Sequence, residues 1–292
     1  MIPAAFDYIA PQSLEEAVRA LADYGEEAKL LAGGHSLLPL LKLRLANPKL
    51  LIDLSKVPGL SGISQQDDKI VVGALTTHYL IESSDLLKTK CPLLPQTART
   101  IGDVQVRNRG TLGGSLAHAD PSADWPAAIL ALGGELKLNG PKGQRQIAAE
   151  EFFLAPMITA IEPTEILTEI RVPIRSRRYG SAYLTLAQPA SGFAVVGVAV
   201  WLRLASNGHC EDIGVGVTGL SEKPFRAKTV EECLRGNKLT PKLIEEGAAQ
   251  VAQGREPLGD LHSSAKFRTH LAQVYTLRAI AQAGKRASAR NR

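Results

Sequence analysis

The chain has 292 residues, of which 45% are hydrophobic and 22% charged, a composition typical of a globular protein with sizeable cores. No run of about 18 apolar residues is present, which argues against a membrane span, and a net charge of only +5 makes nucleic acid a poor partner. Four positive charges, on Lys285, Arg286, Arg290 and Arg292, belong to the acid-free terminal segment "GKRASARNR", which predicts a frayed basic tail.

Residues 1–56 predict a small α/β unit. "SLEEAVRALADY" has apolar residues at helical spacing, with Ser13 as N-cap, Glu16 as its capping-box partner and Gly25 as the stop. "AKLLAGG" and "KLLIDLS" predict two short buried strands separated by a loop and a helix. "KIVVGALTTH" predicts the next strand, followed by a helix capped by Thr76 or Thr77.

The middle and the end of the chain differ in composition and in the elements that they predict. Residues 100–140 are rich in glycine and predict irregular backbone, then a helix at 125–132 and a strand. A domain boundary is expected in "PIRSRRYG", residues 173–180. Beyond it, "FAVVGVAVWLRL" and "CEDIGVGVTGL" predict an antiparallel hairpin around Asn207 and Gly208, and three helical segments follow.

One stretch matches the spacing of a dinucleotide fingerprint, at Gly214, Gly216 and Gly219 in "GVGVTG". That fingerprint requires a helix directly after the glycines, and Pro224 in the following segment disfavours one. The glycines alternate with Val215, as in a strand packed closely against another element. We therefore expect a packing role here.

A second glycine motif, "AGGHS", comprises Ala32, Gly33, Gly34, His35 and Ser36. Successive backbone N–H groups of such a turn can converge on a phosphate, with the Ser36 hydroxyl as a further donor and the start of a helix after it. An ordinary strand–helix turn uses glycine in the same way, so this motif alone leaves both interpretations open. His35 has no second histidine or cysteine nearby, which favours a structural donor over a metal ligand.

The segment "TLGGS" repeats this logic about eighty residues later, and comprises Thr111, Leu112, Gly113, Gly114 and Ser115. Two such loops could hold a diphosphate from two sides. Asp120 and Asp124 follow and could accept hydrogen bonds from ribose or ribityl hydroxyls, although either alone is more often a turn or helix cap. The combination predicts a dinucleotide site without a Rossmann fold.

The cysteines and the N-terminus indicate which metal sites and which cellular location to expect. Cys91, Cys210 and Cys233 are far apart in the sequence, so we expect neither an iron–sulfur cluster nor a zinc site, and no other metal site, on this chain. The N-terminus lacks a basic segment followed by an apolar one, so no signal peptide is predicted and a cytoplasmic location is expected.

The two glycine segments with their surroundings, "LAGGHSLLPLLKLRLANPKLLIDLSKV" and "TIGDVQVRNRGTLGGSLAHADPSADWPAAILALG", closely resemble the FAD-binding medium subunit of the molybdenum hydroxylases. The branch is that of aerobic carbon monoxide dehydrogenase, related to the FAD domain of xanthine dehydrogenase, and the resemblance covers essentially the whole chain. It implies an α+β fold: a two-part FAD-binding domain of the PCMH type, with a small α/β unit (1–56) and a mixed α+β unit (57–176). A C-terminal antiparallel sheet with helices (177–292) follows.

The resemblance also implies the site. FAD would be bound non-covalently, its diphosphate held by residues 32–36 and 111–115, with Asp124 contacting the flavin nucleotide. Ile101 and Leu167 match apolar residues that pack against the cofactor. Several relatives place a lysine or arginine where this chain has Ala187 and Gln188, so a fixed positive charge from that segment is not expected. No catalytic side chain is implied.

In function, the resemblance implies an electron-transfer subunit. It would pass electrons from iron–sulfur clusters through FAD to an external acceptor. Its partners would be an iron–sulfur small subunit and a large subunit with the molybdenum cofactor, assembled as a dimer of heterotrimers. Two alternatives stay open at this point: a stand-alone FAD-dependent oxidoreductase, and a nucleotide-binding module without redox turnover.

Overall fold

A computed structural model describes residues 1–175 and 179–289. Its helices are α1 (Leu14–Tyr24), α2 (Leu37–Lys42), α3 (His78–Ser83), α4 (Asp85–Lys90), α5 (Leu93–Ala98), α6 (Val104–Arg109), α7 (Leu112–His118), α8 (Asp124–Leu132), α9 (Ala149–Phe152), α10 (Lys228–Leu234), α11 (Pro241–Ala249) and α12 (Ala265–Ala289). Its strands are β1 (Asp7–Ile9), β2 (Ala28–Leu31), β3 (Leu50–Asp53), β4 (Ile63–Gln66), β5 (Lys69–Gly73), β6 (Glu135–Gly140), β7 (Gly143–Ala148), β8 (Phe153–Ala155), β9 (Ile158–Thr159), β10 (Ile166–Pro173), β11 (Tyr179–Ala187), β12 (Ala194–Leu204), β13 (Cys210–Thr218) and β14 (Phe225–Arg226).

The N-terminal unit is a parallel three-stranded sheet of order β1-β3-β2. Its helix α1 forms as the sequence predicts: the Ser13 hydroxyl accepts from the N–H of Glu16, whose carboxylate accepts from the N–H of Gln12. The helix ends at Gly25, which has a φ of 54°. The buried face of α1 joins β3 in one apolar cluster, so the sheet and the helix share a core.

The second unit is built on an antiparallel sheet of order β4-β5-β10-β6-β7. The centre of residues 100–140, predicted as irregular backbone ahead of the helix at 125–132, instead contains α6 and α7, so that prediction is wrong. Asp103 accepts from the N–H of Val106, and Thr111 from the N–H of Gly114, so each short helix begins at a side-chain cap. In α7 the cap offsets the poor helix propensity of Gly113 and Gly114.

The third unit is an antiparallel sheet of order β11-β12-β13-β14, with α10, α11 and α12 packed on it. The predicted hairpin is present as β12 and β13, and Gly208 in its turn has a φ of 81°. The prediction of a frayed tail is wrong for Lys285 and Arg286, because α12 runs to Ala289 and Arg286 donates to the side-chain oxygen of Gln96. The other two basic residues, Arg290 and Arg292, lie outside the described residues.

Helix α8 joins the second and third units, and all nine of its residues are buried. A Cβ placed on Gly214 or Gly216 of β13 would overlap a backbone carbonyl oxygen of α8, that of Ala131 or Ala127 respectively. The alternating glycines therefore let the helix lie directly on the strand, as the sequence predicts for "GVGVTG". The structure agrees with the expected α+β class.

The predicted three-part division of the chain stays a prediction. Its second boundary, between 176 and 177, lies outside the described residues. Val57, Leu60 and Ile166, from the predicted second part, pack in the apolar cluster of the N-terminal sheet. Among the helices of residues 1–175 and 179–289, none combines the length and the hydrophobicity that a membrane crossing requires.

Candidate functional site

The structure brings the two glycine segments together. The first, residues 32–36, joins β2 to α2, and the second, residues 111–115, begins α7. A Cβ on Gly33 would overlap the carbonyl oxygen of Arg109 and lie 2.8 Å from the Cα of Gly110. A Cβ on Gly114 would lie 3.4 Å from that of Ala32. Side chains are thus excluded where the first segment meets the approach to the second, and the meeting point is lined by backbone.

Four donors of the first segment are available to a ligand. The backbone N–H groups of Gly33, Gly34, His35 and Ser36 donate to no acceptor within the described part of the chain. Gly34 has a φ of 79°, a conformation that glycine adopts without strain. His35 is exposed and the glycines are half-buried. Consecutive unpartnered N–H groups in a turn of this kind form a concavity suited to an anion.

The second segment differs in this respect. Its N–H groups from Leu112 to Ser115 already donate within the protein, to backbone oxygens or to the Thr111 hydroxyl. Gly113 packs on Ala74, the residue after β5, since a Cβ on Gly113 would lie 2.5 Å from the Cβ of Ala74. Neither Gly113 nor Gly114 has a positive φ. This segment therefore acts mainly as a fixed wall opposite the first, with the half-buried Ser115 hydroxyl on its surface.

A short antiparallel ladder fixes that wall. Thr77 and Thr111 form a bridge, the N–H of Leu112 donates to the oxygen of Thr76, and the N–H of His78 donates to the oxygen of Gly110. No sequence motif identifies this partner segment as part of the site. Of the two predicted caps, Thr77 caps α3, whereas Thr76 is fully buried and bonds to Gly62.

Asp124 is placed inside the protein, at the first turn of α8. It is 5% exposed, and its Oδ1 accepts a hydrogen bond of 2.5 Å from the hydroxyl of Tyr183. Burial raises the pKa of Asp124 to about 7, although the Tyr183 hydrogen bond acts in the opposite direction. Asp120 caps its own turn by accepting from the N–H of Ser122. In this structure the Asp124 carboxylate is engaged with a protein partner.

The two residues predicted as apolar contacts, Ile101 and Leu167, both belong to the core of the second sheet. Ile101 is partly buried on the core of the second sheet. Leu167 is 6% exposed in β10, opposite Leu138 of β6. The next residue, Thr168, accepts from the N–H of Ala74, whose own oxygen accepts from Gly113. Leu167 is thus connected to the second segment through β5.

The loop after β11 is held by hydrogen bonds within the loop itself. The side-chain oxygen of Gln188 accepts from the N–H groups of Ala190 and Ser191, so this side chain organises its own loop. A Cβ on Gly192 would lie 3.7 Å from the Cα of Gly102, which places the loop against the segment that follows Ile101. Phe193, an aromatic residue of this loop that belongs to no recognised motif, is 42% exposed.

Taken as chemistry, the site fits a dinucleotide with a diphosphate. The first segment supplies the unpartnered donors, and the glycines keep the contact free of side chains. Within the described residues, no three His, Cys, Asp or Glu side chains lie close enough together to hold a metal ion.

Comparison with known proteins agrees with this arrangement. Residues 4–175 match the family described as "FAD binding domain in molybdopterin dehydrogenase", and residues 181–283 match "CO dehydrogenase flavoprotein C-terminal domain". The chain is 38% identical over 287 residues to the carbon monoxide dehydrogenase medium chain of Afipia carboxidovorans, covering 98% of this chain and 99% of that protein. It is 36% identical over 287 residues to the 6-hydroxypseudooxynicotine dehydrogenase complex subunit alpha of Paenarthrobacter nicotinovorans, covering 98% and 97%.

A solved structure has the same fold. A chain of the carbon monoxide dehydrogenase from Hydrogenophaga pseudoflava, lacking the Mo-pyranopterin moiety of its cofactor, superposes with a TM-score of 0.95. The two chains are 40% identical, and the match covers 98% of this chain and 99% of the other. The glycine-lined meeting point therefore belongs to a flavoprotein fold, and this chain is a member of the family of FAD-binding domains of molybdopterin dehydrogenases.

Proposed function

We propose that this protein is the FAD-carrying electron-transfer subunit of a molybdenum hydroxylase, working with an iron–sulfur small subunit and a molybdenum-cofactor large subunit as a dimer of heterotrimers. The observation that carries the proposal is the row of unpartnered N–H groups in residues 33–36, held against the backbone of Arg109 and Gly110. FAD, once bound, supplies the redox chemistry, and the protein positions and tunes it.

The protein's own residues bind and orient. The N–H groups of the first segment would hold the diphosphate, with the hydroxyls of Ser36 and Ser115 as further donors. Ile101 and Leu167 would pack against the cofactor as apolar contacts. Asp124 would act from within, by fixing the start of α8 through Tyr183. The Gln188 loop would bound the cleft next to Gly102 without contributing a cation.

The partner surface is proposed to lie beside α7. The β8–β9 hairpin donates from the N–H of Met157 to the oxygen of Ala119, just beyond that helix. Its side chains Leu154, Met157 and Ile158 are 52%, 50% and 56% exposed. An exposed apolar surface of this kind next to "TLGGSLAHAD" is what the sequence leads us to expect for a subunit that receives electrons across an interface.

The substrate of the complex is not encoded in this chain. Proteins named for carbon monoxide and for 6-hydroxypseudooxynicotine match it almost equally well, at 38% and 36% identity. The substrate is therefore expected to be selected by the molybdenum subunit.

A cytoplasmic location is also part of the proposal, and fractionation that recovers the native protein with periplasmic or secreted markers would contradict it.

The cofactor is tested by acid precipitation of the purified protein. We expect a yellow supernatant that contains intact FAD in a ratio near one per chain. Flavin that stays with the precipitate would instead indicate covalent attachment, with His35 as the exposed candidate in the first segment.

The electron-transfer role is tested by reconstitution. The isolated subunit should be reduced by dithionite but not by the substrate of the hydroxylase, and addition of the two partner subunits should restore substrate-dependent bleaching of the flavin absorbance. Rapid reduction of the isolated chain by substrate would contradict the proposal and favour a stand-alone oxidoreductase. Binding of FAD without reduction by the complete complex would favour a nucleotide-binding module.

A further inference from the structure

A buried histidine lies behind the meeting point of the two glycine segments. His78 is 4% exposed and is the first residue of α3. Its backbone N–H donates to the oxygen of Gly110 over 2.9 Å, and the neighbouring Thr77 forms the bridge with Thr111. The position of the imidazole is thus fixed relative to the second segment by backbone hydrogen bonds.

Trp125 determines which ring nitrogen carries the proton. Its indole Nε1–H, which can only donate, lies 3.0 Å from Nδ1 of His78. Nδ1 must therefore be the unprotonated acceptor, and the proton of the neutral imidazole is on Nε2. Burial, followed by coulombic interactions with His35 and Arg107, lowers the pKa of His78 to about 4, so its ring is neutral at physiological pH.

The Nε2–H group points to the place where the glycine segments touch. A Cβ on Gly110 would lie 2.6 Å from Nε2, so the ring sits directly against the backbone of this glycine. Gly110 also contacts Gly33, because a Cβ placed on Gly33 would lie 2.8 Å from the Cα of Gly110. Gly110 is therefore glycine because it is packed between His78 and the first segment.

Within residues 1–175 and 179–289, Nε2 has no hydrogen-bond partner. The ring is almost wholly buried, but Nε2 is not one of the fully enclosed side-chain atoms that lack a partner, so this end of the ring stays accessible. An accessible N–H without a protein partner is free to donate to an acceptor supplied by a ligand. The unpartnered N–H groups of residues 33–36 lie on the neighbouring segment and favour an anionic acceptor.

We propose that His78 is a binding residue for FAD: its Nε2–H donates to an oxygen of the diphosphate, and Trp125 is the positioning residue that keeps the proton on that nitrogen. The assignment rests on FAD binding in this cleft, as proposed above. It adds a neutral side-chain donor to the backbone donors of the first segment. None of the residues predicted from the glycine motifs has this role.

Three variants separate binding from structure. In His78→Gln the amide nitrogen can occupy the position of Nε2 and keep the donor. In His78→Asn the amide oxygen can occupy the position of Nδ1 and keep the acceptor for Trp125, while the distal donor is lost. His78→Phe removes both. Thermal unfolding of each apoprotein shows whether it is folded before its ligand affinity is compared.

Affinities are measured by titration calorimetry with FAD, ADP and riboflavin as separate probes. For His78→Asn we expect the affinity for FAD and for ADP to fall by about tenfold or more, the effect of one hydrogen bond to a charged acceptor. Riboflavin, which lacks the diphosphate, should bind unchanged, and His78→Gln should recover most of the loss. Equal affinities of all folded variants for FAD would overturn the proposal, as would a loss confined to riboflavin. Failure of the unsubstituted protein to bind FAD would instead refute the proposed function.

The positioning role of Trp125 has an independent readout in ¹⁵N NMR of the histidine rings. His78 should show an unprotonated Nδ1 and a protonated Nε2, and the Nε2 signal should shift when ADP is added. Trp125→Phe should disturb this pattern. Trp201→Phe is the matched control, since it removes another buried indole that donates elsewhere, to the oxygen of Ala131. An unaltered His78 spectrum in Trp125→Phe would show that the indole does not set the tautomer.

Discussion

Gly33 is the residue at which the first glycine segment tolerates no side chain. A Cβ there would overlap the carbonyl oxygen of Arg109, which is backbone and cannot move aside as a flexible side chain can. For Gly33→Ala we expect the two segments to separate and the affinity for FAD to fall at least tenfold, about 1.4 kcal/mol or more. Fluorescence titration of the apoprotein with FAD measures the effect.

The matched control for this variant is Gly284→Ala. Gly284 lies in α12 without a positive φ, and its Cβ would make an ordinary contact, 3.6 Å from a methyl carbon of Leu239. The control should keep full FAD affinity, and its helix should be no less stable, because alanine is the better helix former. Unchanged FAD binding in Gly33→Ala would place the diphosphate away from this segment.

Asp124 makes the stability of the folded protein depend on pH, and the direction of its pKa shift determines the sign. Its pKa is raised to about 7 in the folded state from an ordinary value of 3.8, so the folded protein holds this proton where the unfolded chain has released it. The resulting stabilisation is complete below pH 3.8 and is lost as the pH rises through about 7. Asp124→Asn, which stays neutral, should therefore gain stability relative to the unsubstituted protein between pH 5 and 8.

The size of that gain is a few kcal/mol, since each pKa unit corresponds to about 1.4 kcal/mol. Chemical denaturation of the two apoproteins across this pH range measures it. His78 has a lowered pKa and acts with the opposite sign below pH 6.5, but it is present in both proteins and cancels in the difference. Asp68→Asn, at an exposed position, should show no such trend. A constant difference between Asp124→Asn and its parent would mean that Asp124 is ionised in the fold.

At the scale of elements, the contact between α8 and β13 requires glycine. Gly216→Ala would drive a methyl group into the carbonyl of Ala127 and push the helix away from the strand. We expect destabilisation of about 1–3 kcal/mol, the usual cost of overpacking, with a lower melting temperature of the apoprotein. Gly284→Ala again serves as control. Loss of FAD affinity at unchanged apoprotein stability would instead support the dinucleotide-fingerprint interpretation of "GVGVTG".

Elements with local signals are the ones that the sequence predicts well. The cap at Ser13, the apolar spacing of α1 and the turn at Gly208 are read within a dozen residues, and all are present in the structure. α7 is missed because Gly113 and Gly114 lower its apparent helix propensity, and α6 because it is a single short stretch with β-branched Val104 and Val106. A cap at Asp103 or Thr111 is nevertheless enough to begin a short helix that tertiary contacts then hold.

The site divides in the same way. The repeated glycine motif and the family resemblance imply that residues 32–36 and 111–115 hold one diphosphate between them, and the structure brings the two segments together. The ladder from Ala74 to His78 pairs residues more than thirty positions apart and leaves no periodic signal. Likewise, Asp124 at the start of α8 accepts a hydrogen bond from Tyr183, which lies on β11 in the sheet of the third unit. Such long-range pairings follow from the assembled fold, which local patterns do not encode.

At the scale of the whole molecule, the exposed hairpin β8–β9 is the expected contact with the iron–sulfur subunit. Replacing Leu154, Met157 and Ile158 together by serine should weaken the complex, because apolar surface that is buried at an interface drives association. Analytical gel filtration of the mixed subunits measures the loss, and FAD content should stay unchanged. Tyr24→Ser, at an exposed aromatic residue at the end of α1, is the control. Intact assembly of the triple variant would place the interface elsewhere.

Helix α8 also limits how this protein can be recombined with its relatives. By sequence it lies in the region that matches the FAD-binding family, but its carbonyls at Ala127 and Ala131 are fitted to Gly216 and Gly214 in the region that matches the C-terminal family. A crossover between the two regions would exchange the strand without the helix that it supports. The two halves are therefore expected to be inherited together, and functional chimaeras should be those that take α8 and β13 from the same parent.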